Sequence, residues 1–293
     1  MASDMDSAPT VHVLVPAYGP SPYLAEAVRS VLALTGDGIE LTVVDDASPG
    51  GEVAAVLAGL GVDVDYVRLP ENLGVAGAFD ACTRLSRGDY TVLLGSDDVL
   101  EPWYVEELRR LLERFGRVEM AMPRVTVIDS TGSPHLPLAD RVKALLAPRG
   151  ANPAVLDGER LAASLLTGNW LYFPAIAWRT DVLRSEPFRT DMGTAMDLEL
   201  ELRILFAGGR LALSPRRSFR YRRHSDSVSS RTAASGERFD EERALFAWAA
   251  QRSSELGWTK AERAARLHAT SRLHSLVASA RGLLPLGGGR RAA

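Results

Sequence analysis

Tyr90-Thr91-Val92-Leu93-Leu94-Gly95-Ser96-Asp97-Asp98-Val99-Leu100-Glu101-Pro102 is the stretch whose reading decides the fold. A continuous apolar run bounded by turn residues reads as a strand buried on both faces, as in a parallel sheet. The run ends in two adjacent carboxylates, Asp97 and Asp98. Ligands of open α/β sheets bind beyond the carboxyl ends of the strands. Paired carboxylates there suit a hard divalent cation that substrate phosphates also hold. They equally suit a loop that caps a helix opening near Glu101-Pro102. The stretch alone leaves both readings open.

Working outward, Val11–Pro16 forms a first strand, followed by the loop Ala17-Tyr18-Gly19-Pro20 and a helix within 22–34, where Leu24, Ala27, Val28, Val31 and Leu32 recur at helical spacing. A strand at Leu41–Val44 runs into a second carboxylate pair, Asp45-Asp46. A helix over 52–60, a strand over 64–69, the turn Glu71-Asn72-Leu73-Gly74 and a small-residue helix over 75–85 lead back to Tyr90. Strand–helix alternation with short loops predicts an α/β fold, a mostly parallel sheet flanked by helices. Two of its strands end in Asp-Asp.

The second half is less regular. The sequence predicts a helix over 103–115, a strand over 118–128 broken near Pro123, and a Pro- and Gly-rich excursion over 130–153 across the active face. Residues 171–178 read as strand, 196–206 as helix and 211–213 as a short strand. Arg220 to Ser235 reads as a polar loop, with a helical segment from about Glu237 to Leu284 after it. The expected divisions are a disordered N-terminus (1–10), one α/β domain (11–235, with halves at 11–102 and 103–235), a helical extension (236–285) and a flexible tail (286–293).

Composition narrows the class. The 293 residues carry a formal net charge of −3, which gives no general affinity for nucleic acid. Cys82 is the one cysteine, which rules out an intrachain disulfide and a cysteine zinc site. No apolar run approaches a membrane span, and the polar start lacks the pattern of a signal peptide. The expectation is a cytoplasmic protein, with a peripheral place at the inner face of the membrane as a further option. No Gly-x-Gly-x-x-Gly follows the first strand and no P-loop occurs, so a nucleotide must be held in another way.

Val15-Pro-Ala-Tyr18, Val43-Val-Asp-Asp-Ala-Ser48, Asn72-Leu-Gly74, Arg87-Gly-Asp-Tyr90, Ser96-Asp-Asp98 with Pro102, Asp197-x-Glu199-Leu-x-x-Arg203 and Tyr221-Arg-Arg-His224-x-x-Ser227-x-Ser229 follow one another in order. Over residues 11 to 230 the chain thereby resembles the inverting family-2 glycosyltransferases, which have the GT-A fold. The resemblance implies transfer of a sugar from a nucleoside diphosphate to an acceptor hydroxyl, with Mn²⁺ or Mg²⁺ as cofactor. The donor it implies is a UDP- or dTDP-sugar, and the acceptor a glycan, glycolipid or natural product. The Ala- and Arg-rich composition points to a bacterial source.

Carried over residue by residue, the resemblance gives Pro16, Ala17, Tyr18, Asp45, Asp46, Asn72, Gly74, Ser96 and Asp97 a nucleotide-binding role. Asp46 is expected to accept the imide N–H of a pyrimidine. Asp97, Asp98 and His224 are the expected metal residues, the sequence not saying which of the two aspartates binds the ion. Asp197 is the expected general base, at a helix start that favours its ionised form. Each has a plainer reading: turn formers for Asp45 and Asp46, a helix-end charge for Asp197, and a solvated basic loop around His224. Glu199 is a candidate to face the acceptor or solvent, and Arg203 to brace its helix. Trp178 reads as core, whereas Trp170 and Tyr172 are open to sugar stacking.

The chain departs from the family twice. Gly95 stands where the first aspartate of the metal motif belongs, and Met196 replaces the glutamate before the base. These departures keep alive a catalytically degenerate nucleotide-sugar-binding protein. A nucleotidyltransferase is disfavoured, because the loop after the first strand is short and not basic. Leu245, Phe246 and Trp248 mark an apolar face on the C-terminal segment. That face packs on the catalytic domain, forms a homodimer contact, or meets a membrane.

Overall fold

The computed structural model describes residues 8–148, 150–189, 195–224 and 237–267, with backbone only over 237–240. The tail (286–293), most of the expected disordered N-terminus and the serines of the last motif lie outside the described residues. Strands β1 (Val11–Ala17), β2 (Ile39–Asp45), β3 (Asp65–Arg68) and β4 (Tyr90–Leu93) pair in parallel in the order β3-β2-β1-β4. Helices α1 (Leu24–Leu32), α2 (Glu52–Leu60) and α3 (Gly74–Leu85) connect them. Val13, Leu14 and Val15 of β1 are each 0% exposed. A strand covered on both faces has no polar alternation, which is why these runs are legible as sequence.

Strand order reverses between β1 and β4, and a parallel sheet opens a crevice at such a point. The register pairs Ala17 with Asp45 and Leu14 with Leu93, so the carboxyl ends of β1, β2 and β4 share one edge.

After β5 (Val99–Leu100) and α4 (Tyr104–Phe115), β6 (Met120–Ile128) joins the sheet between β8 (Ala177–Arg179) and β9 (Arg210–Arg222). Here the structure departs from expectation. The short strand at 211–213 runs on to Arg222, because Pro215 is absorbed in a bulge opposite Pro123, where the β6–β9 register shifts. Past that bulge β9 pairs antiparallel with β5, Phe219 against Leu100 and Arg220 against Val99. The start of the expected polar loop is therefore strand. Residues 171–178 are mostly not strand: Pro174 lacks an N–H, and Phe173–Ala175 form a 3₁₀ turn before β8.

The expected excursion over 130–153 contains a helix, α5 (Leu138–Leu146). Strand β7 (Ala154–Asp157) then pairs antiparallel with β9 and leads into α6 (Gly158–Thr167). Helix α7 (Thr180–Ser185) follows β8, and α8 (Met196–Phe206) precedes β9. Helices α9 (Glu237–Glu255) and α10 (Thr259–Leu267) pack on α8 and α6. Leu245 and Phe246 are buried within this chain, and Phe206 meets the rings of Trp248 and Trp258 at 5.4 and 5.6 Å. Among the described residues, no helix is long and apolar enough to cross a membrane.

Candidate active site

The two carboxylates after β4 part company. Leu94 still donates to the Leu14 carbonyl, and the chain then turns, Asp98 N–H bonding back to Gly95 O. Asp98 is 1% exposed, and its Oδ1 accepts the backbone N–H of Arg222 at 2.8 Å. Burial, then the charge of Asp97, pushes the Asp98 carboxyl well up, against the Arg222 N–H and nearby guanidinium charges. Asp97 instead keeps a partly exposed side chain, with Oδ2 2.9 Å from His224 Nε2. Asp98, expected among the metal residues, is thus turned beneath the loop, whereas Asp97 and His224 share its open face. The loop has closed over the space at Gly95. A Cβ there would lie 2.7 Å from Asp98 Oδ2 and 2.9 Å from Asp97 Oδ1.

Arg222 holds this arrangement from the end of β9. Its side chain is almost fully buried; Nε donates to Asp97 O at 2.8 Å, Nη1 to Asp129 O at 3.1 Å and Nη2 to Glu26 Oε2 at 2.6 Å. The guanidinium also lies 4.5 Å over the ring of Tyr23, which packs against His224 at 4.9 Å. Arg220, two residues earlier, forms a forked pair with Glu101. The arginines expected in a solvated loop are structural ties that carry His224 over Asp97.

At the end of β2, Asp45 is 0% exposed and holds the adjoining turn together. It accepts from Ser48 N–H at 2.8 Å, Tyr66 Oη at 2.6 Å and Arg68 Nη1 at 2.7 Å. Burial alone would raise its pKa, but these bonds bring it below the usual carboxylate range. Ala47 sits at φ 56°, a left-handed conformation uncommon for a residue with a side chain. Ser48 Oγ accepts the N–H of Gly19, and Asp46 N–H bonds Ala17 O, so the loops after β1 and β2 are one unit. Within it Pro16 and Ala17 lie in or beside the sheet, while Tyr18 is 56% exposed. Asp46 accepts the Leu73 N–H at 2.7 Å, which draws in the Asn72–Gly74 turn; there Asn72 Oδ1 accepts Gly74 N–H and Gly74 takes φ 68°. Ser96 lies half-buried between Gly95 and Asp97.

Helix α8 brings the second set of groups. Asp197 stands in its first turn, where its Oδ1 accepts the Leu198 N–H at 2.7 Å. Glu199 does not face an acceptor: it is 2% exposed and held by Arg203, which also binds Glu186 and Pro187 O. Arg203 braces the helix, as its spacing suggested. One turn beyond Asp197 is Glu201, fully buried, with Asn169 Nδ2 donating to Oε2 at 3.1 Å and no partner for Oε1 among the described residues. Burial, then the charge of Asp197, raises the Glu201 pKa, while Lys143 and Asn169 oppose the rise.

Lys143 comes from α5, the helix absent from the sequence reading. Its Nζ donates to Leu171 O at 2.6 Å and lies 4.7 Å from the Tyr172 ring. Burial lowers its pKa; Asp197, Glu201 and Asp140 oppose that, and Arg223 adds to it. Asp140, also on α5, is 0% exposed and takes a forked pair from Arg223 and the hydroxyl of Tyr172 at 2.9 Å. The base candidate and the His224 loop are thereby joined through one buried charge cluster. Asp140 and Lys143 escaped sequence reasoning; the signal was charge at i and i+3 among leucines of 136–146. Trp170 is core, its Nε1 bonded to Ser164 Oγ, and Trp178 is core as expected.

A divalent cation fits part of this donor set. Asp97 Oδ2 and His224 Nε2 are close enough to share one ion, both being usual Mn²⁺ ligands. Among the described residues no group of three His, Cys, Asp or Glu side chains gathers around one point. An ion held there would take its other ligands from outside these two side chains.

Comparison with known proteins bears on the fold and the family. Residues 12–155 match the Glycosyl transferase family 2 family. The chain is 29% identical over 229 residues to succinoglycan biosynthesis protein ExoO of Rhizobium meliloti, covering 77% of this chain and 64% of that protein. It is 28% identical over 202 residues to chondroitin synthase of Escherichia coli, covering 68% of this chain and 27% of that one. The chain therefore spans less than two thirds of either relative. Its fold matches S. aureus TarS 1-349 in complex with UDP-GlcNAc at TM-score 0.62, with 14% identity over 81% of this chain and 66% of that one. It also matches the mannosyltransferase PcManGT from Pyrobaculum calidifontis, in complex with GDP-Man and Mn²⁺, at TM-score 0.60, with 17% identity over 99% and 79% of the two chains. The strands that run into Asp45-Asp46 and Asp97-Asp98 thus lie within a glycosyl transferase family 2 match over residues 12–155, and the mostly parallel sheet matches GT-A glycosyltransferase structures.

Proposed function

We propose that this protein is an inverting glycosyltransferase that moves a sugar from a UDP- or dTDP-sugar to an acceptor hydroxyl, with Asp197 as general base. The observation that carries the reading is the Asp97–His224 pair, at 2.9 Å, over the crevice where the strand order reverses. In this reading Tyr18 and Asp46 receive the base, and the Pro16–Ala17 backbone, Asn72, Gly74 and Ser96 line the nucleotide. Asp45 acts indirectly, by holding the turn that presents Asp46.

Asp97 and His224 are the residues that would hold Mn²⁺ or Mg²⁺ beside the donor's diphosphate, where such an ion would supply charge to offset that of the departing phosphate. Two protein ligands bind an ion weakly, so nucleotide and metal enter together. Asp197 takes the proton of the acceptor hydroxyl as that oxygen attacks the anomeric carbon from the face opposite the diphosphate. Lys143 and Glu201 both lie within electrostatic reach of Asp197.

Calorimetric titration of UDP, dTDP and GDP, each with Mn²⁺ and with EDTA, tests the reading on wild type and Asp97→Ala. One nucleotide should bind wild type with metal only, and the variant should lose that metal dependence. Metal-independent binding in wild type would overturn the assignment of Asp97 and His224, and binding of no nucleotide would overturn the donor site.

A further inference from the structure

Helix α5 turns Asp140 and Lys143 inward and Leu138, Val142 and Leu145 outward. Asp140 is 0% exposed, whereas Leu138, Val142 and Leu145 are 76%, 42% and 65% exposed, and Leu136, just before the helix, is 47% exposed. Positions 138, 142 and 145 follow the i, i+4, i+7 spacing of a single stripe. Of the 11 large hydrophobic residues exposed among the described residues, four fall within 136–145, which makes a patch rather than scatter. Rolling the helix to bury the stripe would strand Asp140 away from Arg223 and Tyr172, and Lys143 away from Leu171 O. The inward face is committed, so the apolar face stays out.

The ionic surroundings define the occupant. Asp140 is the only carboxylate between Ser130 and Pro148, and it is buried. The exposed ionisable residues of that span are His135 and Arg141. An apolar stripe with the exposed guanidinium of Arg141 beside it, and no exposed carboxylate among the described residues of 130–148, is complementary to anionic lipid headgroups. We propose that Leu136 and helix α5 form a docking face for an anionic bilayer. Docked this way, the inner side of α5 holds the cluster around Asp197 next to the headgroup layer, within reach of a lipid-linked acceptor. That last step rests on Asp197 being the base; the docking does not.

Flotation of the full chain with vesicles tests the docking without requiring turnover. One set contains equal parts of phosphatidylcholine and phosphatidylglycerol, the other phosphatidylcholine alone. Wild type should float with the anionic vesicles and much less with the neutral ones. The triple variant Leu138→Ser, Val142→Ser, Leu145→Ser should bind anionic vesicles more than about tenfold more weakly, since one buried leucine is worth about that factor. Arg141→Glu, which leaves the stripe intact, should weaken binding to anionic vesicles only, and it stands as the test if the triple variant does not fold. Equal flotation of wild type and both variants, or no flotation of wild type, would overturn the proposal. So would gel filtration in which wild type is a dimer and the triple variant a monomer with unchanged vesicle binding, because the stripe would then be a protein interface.

Discussion

Gly95→Ala is the substitution on which the site geometry makes its sharpest prediction. Gly95 has no left-handed φ, so its backbone conformation does not exclude alanine. The obstacle is the space: the new methyl would lie 2.7 Å from Asp98 Oδ2 and 2.9 Å from Asp97 Oδ1, well inside van der Waals contact. Neither carboxylate yields freely, because Asp98 is held by the Arg222 N–H at 2.8 Å and Asp97 by His224 at 2.9 Å. Relief therefore breaks at least one hydrogen bond to a charged or buried group, worth about 1.5–3 kcal/mol. For a chain of this size that corresponds to a melting point lower by roughly 2–5 °C. If Asp97 is the group that moves, metal-dependent nucleotide affinity falls with it, by about 10- to 100-fold. Thermal melting and calorimetric titration with Mn²⁺ read the two consequences separately. Shortening the buried neighbour makes room, so Asp98→Ser combined with Gly95→Ala should cost less than the sum of the single changes. Unchanged melting and unchanged affinity in Gly95→Ala, or strictly additive losses in the double variant, would refute the argument.

Three further outcomes follow from the same contacts. Asp197→Asn should lower transfer by about 10²- to 10⁴-fold with nucleotide affinity nearly unchanged; near-normal turnover in a coupled assay would remove Asp197 as the base. Arg222→Met leaves the carbonyls of Asp97 and Asp129 without their buried donor, so urea denaturation should register a loss of about 3 kcal/mol. A loss within error would mean that the guanidinium does not hold the loop. Glu201→Gln should change how stability varies with pH. The folded-state pKa of Glu201 is raised by burial and by Asp197, so its favourable contribution is complete below the ordinary glutamate value, about 4.3, and is lost as pH rises towards the folded value. The melting point of the variant relative to wild type should therefore climb from acid to neutral pH. A constant difference across that range would show that folding leaves the pKa of Glu201 unshifted.

The order of strands β1 to β4 and the placement of Asp45-Asp46 and Asp97-Asp98 at their ends are legible in the sequence. Strands β1 and β4 are covered on both faces, and the mainly apolar runs Val11–Val15 and Tyr90–Leu94 are the local mark of that covering. Helix α8 is legible for the same local reason, as is the place of Asp197 in its first turn. Other features depend on partners far along the chain. Asp97 and Asp98 are chemically alike and adjacent, and Asp98 turns inward because the N–H that binds it comes from Arg222, 124 residues later. Arg222 arrives there only because a bulge at Pro215 lets β9 continue through a stretch whose proline and arginines resemble a loop. In α5 the usual rule is reversed: Asp140 and Lys143 are buried by pairing with Arg223, Tyr172 and Leu171, and the leucines are left outside. A sequence records which side chains are apolar or charged, and so determines the sheet and the order of its carboxylates. Which charges are buried, and which way each one faces, is decided by the desolvation of each group against its distant partners, and those partners meet only in the tertiary structure.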